Sequence, residues 1–458
     1  MTAPARLFPL LGPGVSLDEP LCWRGGKPVS RRQYLADVHA LAALLPADGP
    51  VLAMTADRYR FALALGAAMQ RNQSALLPPN HTPDLVAWLR EIFPHAHALA
   101  DAQASAVDLP TLAFPLPAAP RAETDEIPAF AADRETAHVL TSGSTGRPVP
   151  HPKRWGSLVR GALASAERMA AELGRPDLRG ATVVGTVPAH HMYGFESTVL
   201  LPLLGGGAFA AERPFFPGDI AQVLAAVPRP RILVTTPVHL KALVDADLKL
   251  PPVDLTISAT APLSRDTAAR AEAALGGPLV EIYGCTEAGQ VATRRTTAAA
   301  PDWQTFPGLT ITGDGDAALV SGGHVTQPTP LADVLQVLSP TAFRLLGRSN
   351  DMVNIAGKRT SISHLNHQLA SLEGVRDGAF WMPPATGAEN IVRLAAFVVA
   401  PGLDRAVLLK ALRDRVDAAF LPRPLVFVDA LPRDPSGKLP EATLARFAAR
   451  VLGEATRG

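Results

Sequence analysis

Three short stretches of this chain hold residue types that could do chemistry. The first is Leu140-Thr-Ser-Gly-Ser-Thr-Gly-Arg-Pro148. Gly143 and Gly146 open backbone conformations closed to other residues. Successive N–H groups there can form a nest around phosphate oxygens, helped by the hydroxyls of Thr141, Ser142, Ser144 and Thr145. No Gly-Lys-Ser/Thr follows at the spacing of a Walker A loop, and taken alone a solvated Ser/Gly loop has the same composition. The second stretch is Glu281-Ile-Tyr-Gly-Cys-Thr-Glu-Ala-Gly289. An apolar strand runs into a tight loop there, the place where α/β proteins put ligand groups. Tyr283 offers a flat face for a base, Thr286 a hydroxyl for a phosphate, and Glu287 a hard oxygen ligand for Mg²⁺. The plain alternative is a strand-capping turn with a solvated glutamate. The third stretch, Leu431-Pro-Arg-Asp-Pro-Ser-Gly-Lys-Leu439, sets Lys438 in a loop shaped by Pro432, Pro435 and Gly437. A lysine there can neutralise a carboxylate and a phosphate in a transition state, although most lysines are ordinary surface residues.

Such loops need elements to hold them. Short apolar runs at 183–187, 231–234, 254–257 and 279–282 read as strands. Trp155, Leu158, Val159, Ala162, Ala166, Met169 and Leu173 recur at helical spacing, and Gly174 offers the C-cap. Strands alternating with helices predict α/β layers. Beyond the polar, turn-rich stretch Gly347-Arg-Ser-Asn-Asp351 the pattern changes to a small α+β unit. Its expected elements are a helix over 365–372, a strand over 393–399, a helix over 404–420, a strand over 425–428 and a helix over 441–452. The expected domains are therefore 1–348, carrying the first two stretches, and 349–458, carrying Lys438.

Bulk properties exclude several classes. A net charge of +1 leaves no electrostatic footprint for nucleic acid or an anionic membrane. Two cysteines, Cys22 and Cys285, cannot form a disulfide framework or a four-cysteine zinc site, and they suit a reduced cytoplasm. The longest uncharged apolar run lies between Glu196 and Glu212, short of the roughly 18 residues of a membrane span. No signal peptide is legible at the N-terminus. A soluble, cytoplasmic protein is expected.

The three stretches together, in this order, resemble the adenylate-forming (AMP-binding) superfamily of acyl-CoA synthetases, aryl-CoA ligases, nonribosomal-peptide adenylation domains and luciferases. Thr141–Pro148 resembles its phosphate loop, Tyr283–Glu287 its Tyr-Gly-x-Thr-Glu motif, and Pro435–Lys438 the loop of its catalytic lysine. The resemblance implies a large α/β N-terminal domain of mixed sheets sandwiched with helices, and a small mobile α+β C-terminal domain. It implies that a carboxylate attacks the α-phosphorus of ATP, that pyrophosphate leaves, and that a thiol then takes the acyl group.

On this resemblance Lys438, Glu287, Thr286 and His191 are the catalytic set, with Mg²⁺ on Glu287. ATP falls to Thr141, Ser142, Gly143, Ser144, Thr145, Gly146, Tyr283, Gly284, Asp333 and Arg348, the last two at the ribose. The acyl pocket falls to His191, Tyr193, Gly194, Ala259, Thr260 and Cys285. Its neighbour His190 leaves the histidine's identity open by one residue. Ala259 and Thr260 stand where the family often has glycine, which narrows the floor towards an aromatic or short acid. The thiol donor is coenzyme A or the phosphopantetheine of an acyl carrier protein. Departures are visible. Where the family reads x-Pro-Lys-Gly this chain has Arg147-Pro148-Val149-Pro150, so that either Arg147 or Lys153 takes the usual lysine's role or that role is absent. Asn350 stands at the hinge, and His364 and Asn366 replace common glutamates. A non-catalytic relative that binds nucleotide or carboxylate, and an adenylating enzyme with a non-thiol acceptor, are the alternatives.

Overall fold

The runs Thr182–Gly185, Arg231–Thr235, Leu255–Ser258 and Leu279–Cys285 are rich in Val, Ile and Leu, and their apolar residues are buried on both faces. Continuous burial of this kind belongs to parallel sheets covered on both sides. In the computed structural model the four lie side by side and parallel, with Ile232 opposite Leu255 and Thr256 opposite Leu279. The structure describes residues 6–102, 104, 106–114, 124–142, 148–246, 248–299, 301–348, 352–355, 358–383, 393–433 and 439–455. Gly143, Ser144, Thr145, Gly146, Arg147, Asn350 and Lys438 lie outside them, as do the side chains of Thr141, Ser142 and Arg348.

The backbone groups into two compact units. In the first, one sheet runs in the order Trp303–Thr305, Gly289–Arg294, Leu279–Cys285, Leu255–Ser258, Arg231–Thr235, Thr182–Gly185, Ala208–Ala210, Pro20–Arg24, Lys27–Ser30. A second sheet has the order Pro148–Arg154, Glu135–Ser142, Ala75–Leu77, Val51–Met54, His97–Ala100, Thr111–Ala113. Parallel neighbours need crossovers, and the sequence marks their starts. After Arg231–Thr235, for example, Thr236 caps helix Pro237–Asp245 by accepting from the His239 N–H at 3.4 Å, with proline in the first turn. Helix Trp155–Glu172 buries the expected stripe, including Trp155, Val159, Ala162 and Met169, and ends at Leu173 with Gly174 at φ +65°.

Helix Arg58–Gln70 is buried nearly all round and carries a charged residue into the core. The Arg58 guanidinium donates to Thr198 Oγ1 (2.8 Å) and to the carbonyls of Ala210 (2.9 Å), Glu212 (3.0 Å), Gly185 (3.1 Å) and Val187 (3.2 Å). It thus fastens a helix that follows a strand of the second sheet to the strand ends of the first.

The second unit comprises Pro330–Gly458 with Pro262–Ala268 and Thr312–Leu319. Its sheet orders Asp377–Trp381, Ala395–Val399 and Leu425–Phe427. Side chains alternate across the middle strand. Ala396 and Val398 join a core with Leu365, Leu369, Phe380, Leu408 and Leu412, while Ala395 and Phe397 join one with Leu431, Leu444 and Ala448. Two expectations are corrected here. The helix expected over 404–420 stops at Arg413, and a separate 3₁₀ turn, Ala418–Phe420, restarts where the Asp417 carboxylate accepts from the Ala419 N–H at 3.0 Å. An aspartate that offers the backbone its own cap competes with helix continuation. Gly347 and Arg348, read as linker, close strand Ala342–Arg348, which pairs with Asp333–Ser339. Gly347 holds φ +141°, and a Cβ there would sit 2.1 Å from Ser361 Oγ, so only glycine fits. Among the described residues no helix is long and apolar enough to cross a membrane.

Candidate active site

The Tyr-Gly-x-Thr-Glu stretch is the tip of a β-hairpin. Strand Leu279–Cys285 turns through Thr286, Glu287 and Ala288 into Gly289–Arg294, with Cys285 opposite Gly289 and a register shift between Tyr283 and Gly284. A Cβ on Gly284 would lie 2.4 Å from the Gly289 carbonyl oxygen, so the close crossing demands glycine. Glu287 is exposed and Thr286 half-buried. At the base of the hairpin Glu281 accepts from Arg294 Nε at 2.7 Å and from the Thr296 hydroxyl. The Tyr283 ring, 8% exposed, packs 5.7 Å from Trp303, over which Arg294 lies at 4.5 Å.

The stretch Leu140–Pro148 is flanked by two paired strands. Strands Glu135–Ser142 and Pro148–Arg154 are antiparallel, with Ser142 opposite Pro148, and residues 143–147 join them. Further down, Lys153 faces Ala137, and the register shifts directly after it. Bulges of this kind re-aim side chains beside active sites. The buried Lys153 ammonium donates to the backbone carbonyls of Thr286 and Glu287, the latter at 3.3 Å. Burial depresses its pKa, partly offset by the neighbouring Glu196.

Of the residues expected around the acyl pocket, His191, Tyr193 and Gly194 open an unusual helical segment. Met192–Gly194 runs directly into the π-helical turn Phe195–Leu200, a form concentrated at functional sites. His191 precedes it as N-cap, its Nε2 3.3 Å from the Pro79 carbonyl. The His190 ring lies 4.8 Å from His191 and 5.5 Å from His81, and burial beside those two rings pushes its pKa down to about 3, so it is neutral near pH 7. A Cβ on Gly194 would lie 1.9 Å from the Pro188 carbonyl oxygen, so the backbones touch there. The Tyr193 hydroxyl donates at 3.1 Å to the carbonyls of both Thr235 and Ile257, joining two strand ends. Just past Leu255–Ser258, Ala259 is buried and Thr260 holds φ +81°, a strained conformation for a β-branched residue. Burial pushes the Cys285 thiol up to about 11, so it is protonated near pH 7.

Sequence reasoning gave no individual role to Glu196 or Ser197, and it missed Gln290 and His324. The Glu196 carboxylate packs against Gly289, where a Cβ would come within 2.7 Å of its Oε1 and 3.8 Å of His324 Nε2. Gln290 Nε2 donates to Ser197 Oγ at 2.9 Å. Burial lowers the His324 pKa to about 4 and raises that of Glu196 to about 7, the latter against the opposing pull of Lys153 and the Gln290 backbone amide. The one available signal was Glu196 itself, a lone carboxylate at the head of the longest apolar run.

The Glu196 shift predicts a pH effect on stability. An acid whose folded pKa lies above its ordinary value of 4.5 binds its proton more tightly when folded. Its contribution to stability therefore falls between about pH 4.5 and 7 and is flat above that. Glu196→Gln lacks this loss. Relative to wild type it should gain roughly 1–3 kcal/mol between about pH 4 and pH 8, read by urea denaturation at both pH values. Parallel wild-type and variant curves would refute the assignment.

In the second unit, Asp333 and Arg348 are direct backbone partners across their hairpin. Among the described residues no cluster of three or more His, Cys, Asp or Glu could hold a metal by itself. The exposed Glu287 carboxylate fits the other arrangement, in which Mg²⁺ takes one protein carboxylate and completes its shell with phosphates and water.

A model of the AMP-binding enzyme family matches residues 93–335, more than half of the chain. A 4-coumarate–CoA ligase of Rhodobacter capsulatus is 33% identical over 315 residues, covering 68% of this chain and 76% of that protein. One of Halorhodospira halophila is 32% identical over 313 residues, covering 65% and 73%. The fold is shared with an anthranilate CoA ligase solved with anthranoyl-AMP, at TM-score 0.77 and 15% identity over 98% of this chain and 99% of that one. It is also shared with o-succinylbenzoate CoA synthetase of Bacillus subtilis bound to its acyl-adenylate, at TM-score 0.76 and 16% identity over 93% and 95%. The chain belongs to the AMP-binding enzyme family, and it is an ATP-dependent acid–thiol ligase that makes an acyl adenylate and then a thioester.

Proposed function

We propose that the acid is an aromatic or short one, that Glu287 binds Mg²⁺, and that the thiol donor is coenzyme A, with a carrier-protein phosphopantetheine as the variant acceptor. The observation that carries the substrate reading is the strand end at Ser258. Ala259 and the strained Thr260 put side chains there, and a strained, narrowed backbone suits a flat or compact acyl group better than a long chain. The names of relatives, 4-coumarate–CoA ligase and indoleacetate–CoA ligase, lend support.

In this reading the stretch Ser142–Gly146 holds the departing pyrophosphate and Thr286 a phosphate oxygen. Tyr283 and Gly284 border the base, and Asp333 with Arg348 hold the ribose. When bound, Mg²⁺ supplies neutralising charge to the phosphates. The protein's part is positioning and a fixed electrostatic field. His191 borders the acyl group where the thiol arrives, and Tyr193, Gly194 and Cys285 form its walls. The domain from residue 349 onwards turns about Asn350 between adenylation and thioester formation, and the enzyme works in the cytoplasm.

Acid-dependent pyrophosphate release tests this, with aromatic, short and long-chain acids, each with coenzyme A, with a holo carrier protein, or with neither. We expect aromatic or short acids to exceed long-chain acids in kcat/KM by about tenfold or more, the scale of a few kcal/mol of pocket discrimination. A preference for long chains would overturn the pocket reading. Turnover raised only by the carrier protein would replace coenzyme A as donor.

A further inference from the structure

We propose that Lys153 is a positioning residue for adenylation, which holds the Thr286–Glu287 turn through its backbone carbonyls instead of binding phosphate itself. This rests on the reading of Glu287 as the Mg²⁺-side residue.

Two consecutive carbonyl oxygens at the hairpin tip, those of Thr286 and Glu287, accept from one buried ammonium. An ammonium has three N–H donors, and two are committed here to the turn. Besides Lys153, the tip is restrained by the Cys285 thiol, hydrogen-bonded to the Glu287 side chain and the Ala288 backbone, and by His324 at the Ala288 backbone. The tip's last cross-strand partners are Cys285 and Gly289, and residues 286–288 have no strand partner of their own. With both carbonyls fixed, the peptide plane between Thr286 and Glu287 cannot rotate freely, and the direction of the Glu287 side chain is set with it.

The surroundings are built around that amine. The strand shift after Lys153 aims it sideways out of its own hairpin. On the far side the π-helical turn presents Glu196, whose electrostatic pull on Lys153 is the largest of any neighbour. Glu196 lies against Gly289 at the other foot of the turn, and Gln290 is held there by Ser197. Three segments therefore converge on one positive charge: the strand that leaves the phosphate loop, the turn that follows His191, and the tip that carries Glu287. Phosphate-loop, acyl-side and metal-side groups would thus keep register with one another. This also answers the departure from the family's phosphate-loop lysine, because Lys153 does its work on a carbonyl pair.

The test is a double-mutant cycle on the full chain. Acid-dependent pyrophosphate release is measured against Mg²⁺ and against Mg·ATP, and Mn²⁺ binding in the presence of ATP without acid is measured by electron paramagnetic resonance, for wild type, Lys153→Met, Glu287→Gln and the double variant. We expect Lys153→Met to raise the half-saturating Mg²⁺ concentration by about 10–100-fold, the usual cost of losing a group that orients a metal ligand. In the Glu287→Gln background the same change should add less than about threefold, because coupled residues are not additive. Lys153→Arg, which keeps charge and donors, should recover part of the Mg²⁺ affinity. If Lys153→Met does not fold, judged by its thermal transition, Lys153→Gln replaces it in the cycle. Full multiplication of the two single effects would overturn the inference, since Lys153 would then act on phosphate independently of Glu287. So would an impaired Glu287→Gln beside an unimpaired Lys153→Met. A Glu287→Gln enzyme with wild-type Mg²⁺ dependence would instead remove the Glu287 reading, and the inference with it.

Discussion

Lys438→Ala is expected to slow acid-dependent pyrophosphate release by roughly 10²–10³-fold, the cost of removing one preorganised donor from developing charge. In the role proposed for Lys438, an anionic carboxylate approaches an anionic phosphate in the adenylating transition state, and the lysine ammonium offsets charge that is greatest at that moment. Lys438 lies outside the described residues, but the ends of its loop do not. On one side Arg433 forms a two-pronged pair with Asp377, at 2.8 and 2.7 Å, and Leu431 is buried. On the other, Leu439 packs against the core that contains Phe397 and Leu444, just ahead of helix Glu441–Ala455. The described residues on both sides of 434–438 are thus anchored within the second unit. Lys438→Arg should not restore the rate, because a planar guanidinium is a different shape of donor. Supplied with ready-made acyl adenylate and coenzyme A, the alanine variant should still form thioester at near the wild-type rate. Equal losses in both half-reactions would contradict the role.

Arg58→Met should cost roughly 3–5 kcal/mol of stability, the scale on which removing one partner of a buried charged network acts. The side chain is 1% exposed, and burial lowers its pKa to about 10, which still leaves it charged near pH 7. It satisfies the carbonyls of Gly185, Val187, Ala210 and Glu212 together with the Thr198 hydroxyl. Methionine fills much of the space and supplies no donor, so these buried oxygens lose their partner. Two of them, at Gly185 and Val187, lead directly to His191, and Thr198 lies in the π-helical turn. Loss of the clamp should therefore loosen the acyl side first. Urea denaturation measures the stability loss, and hydrogen exchange over residues 185–200 locates it. An unchanged urea midpoint would show that the network is dispensable.

Much of this was legible in one dimension. The strands at 231–234 and 279–282 appear as expected because parallel strands buried on both faces must be nearly continuous Val, Ile and Leu, a local property. The helix after Trp155 was legible for the same reason, its apolar stripe repeating with the helical period. Errors arose where backbone competition decided the outcome. An Asp417 cap broke a helix that periodicity alone would continue, and Gly347 joined a strand because Ser361 leaves no room for a side chain.

The sequence by itself determined the chemistry and the family. Gly-rich, hydroxyl-rich and Tyr-Gly-x-Thr-Glu stretches are compact signals, since the residues that form each loop are neighbours in the chain. Tertiary structure alone decided which groups those loops meet. Lys153 and Thr286 are 133 residues apart, and no spacing in the sequence relates them. The same holds for Glu196 against Gly289, and for the Tyr193 hydroxyl that ties Thr235 to Ile257. Such contacts follow from the order of strands in a sheet and the aim of a bulge, which are properties of the packed chain and of no segment within it.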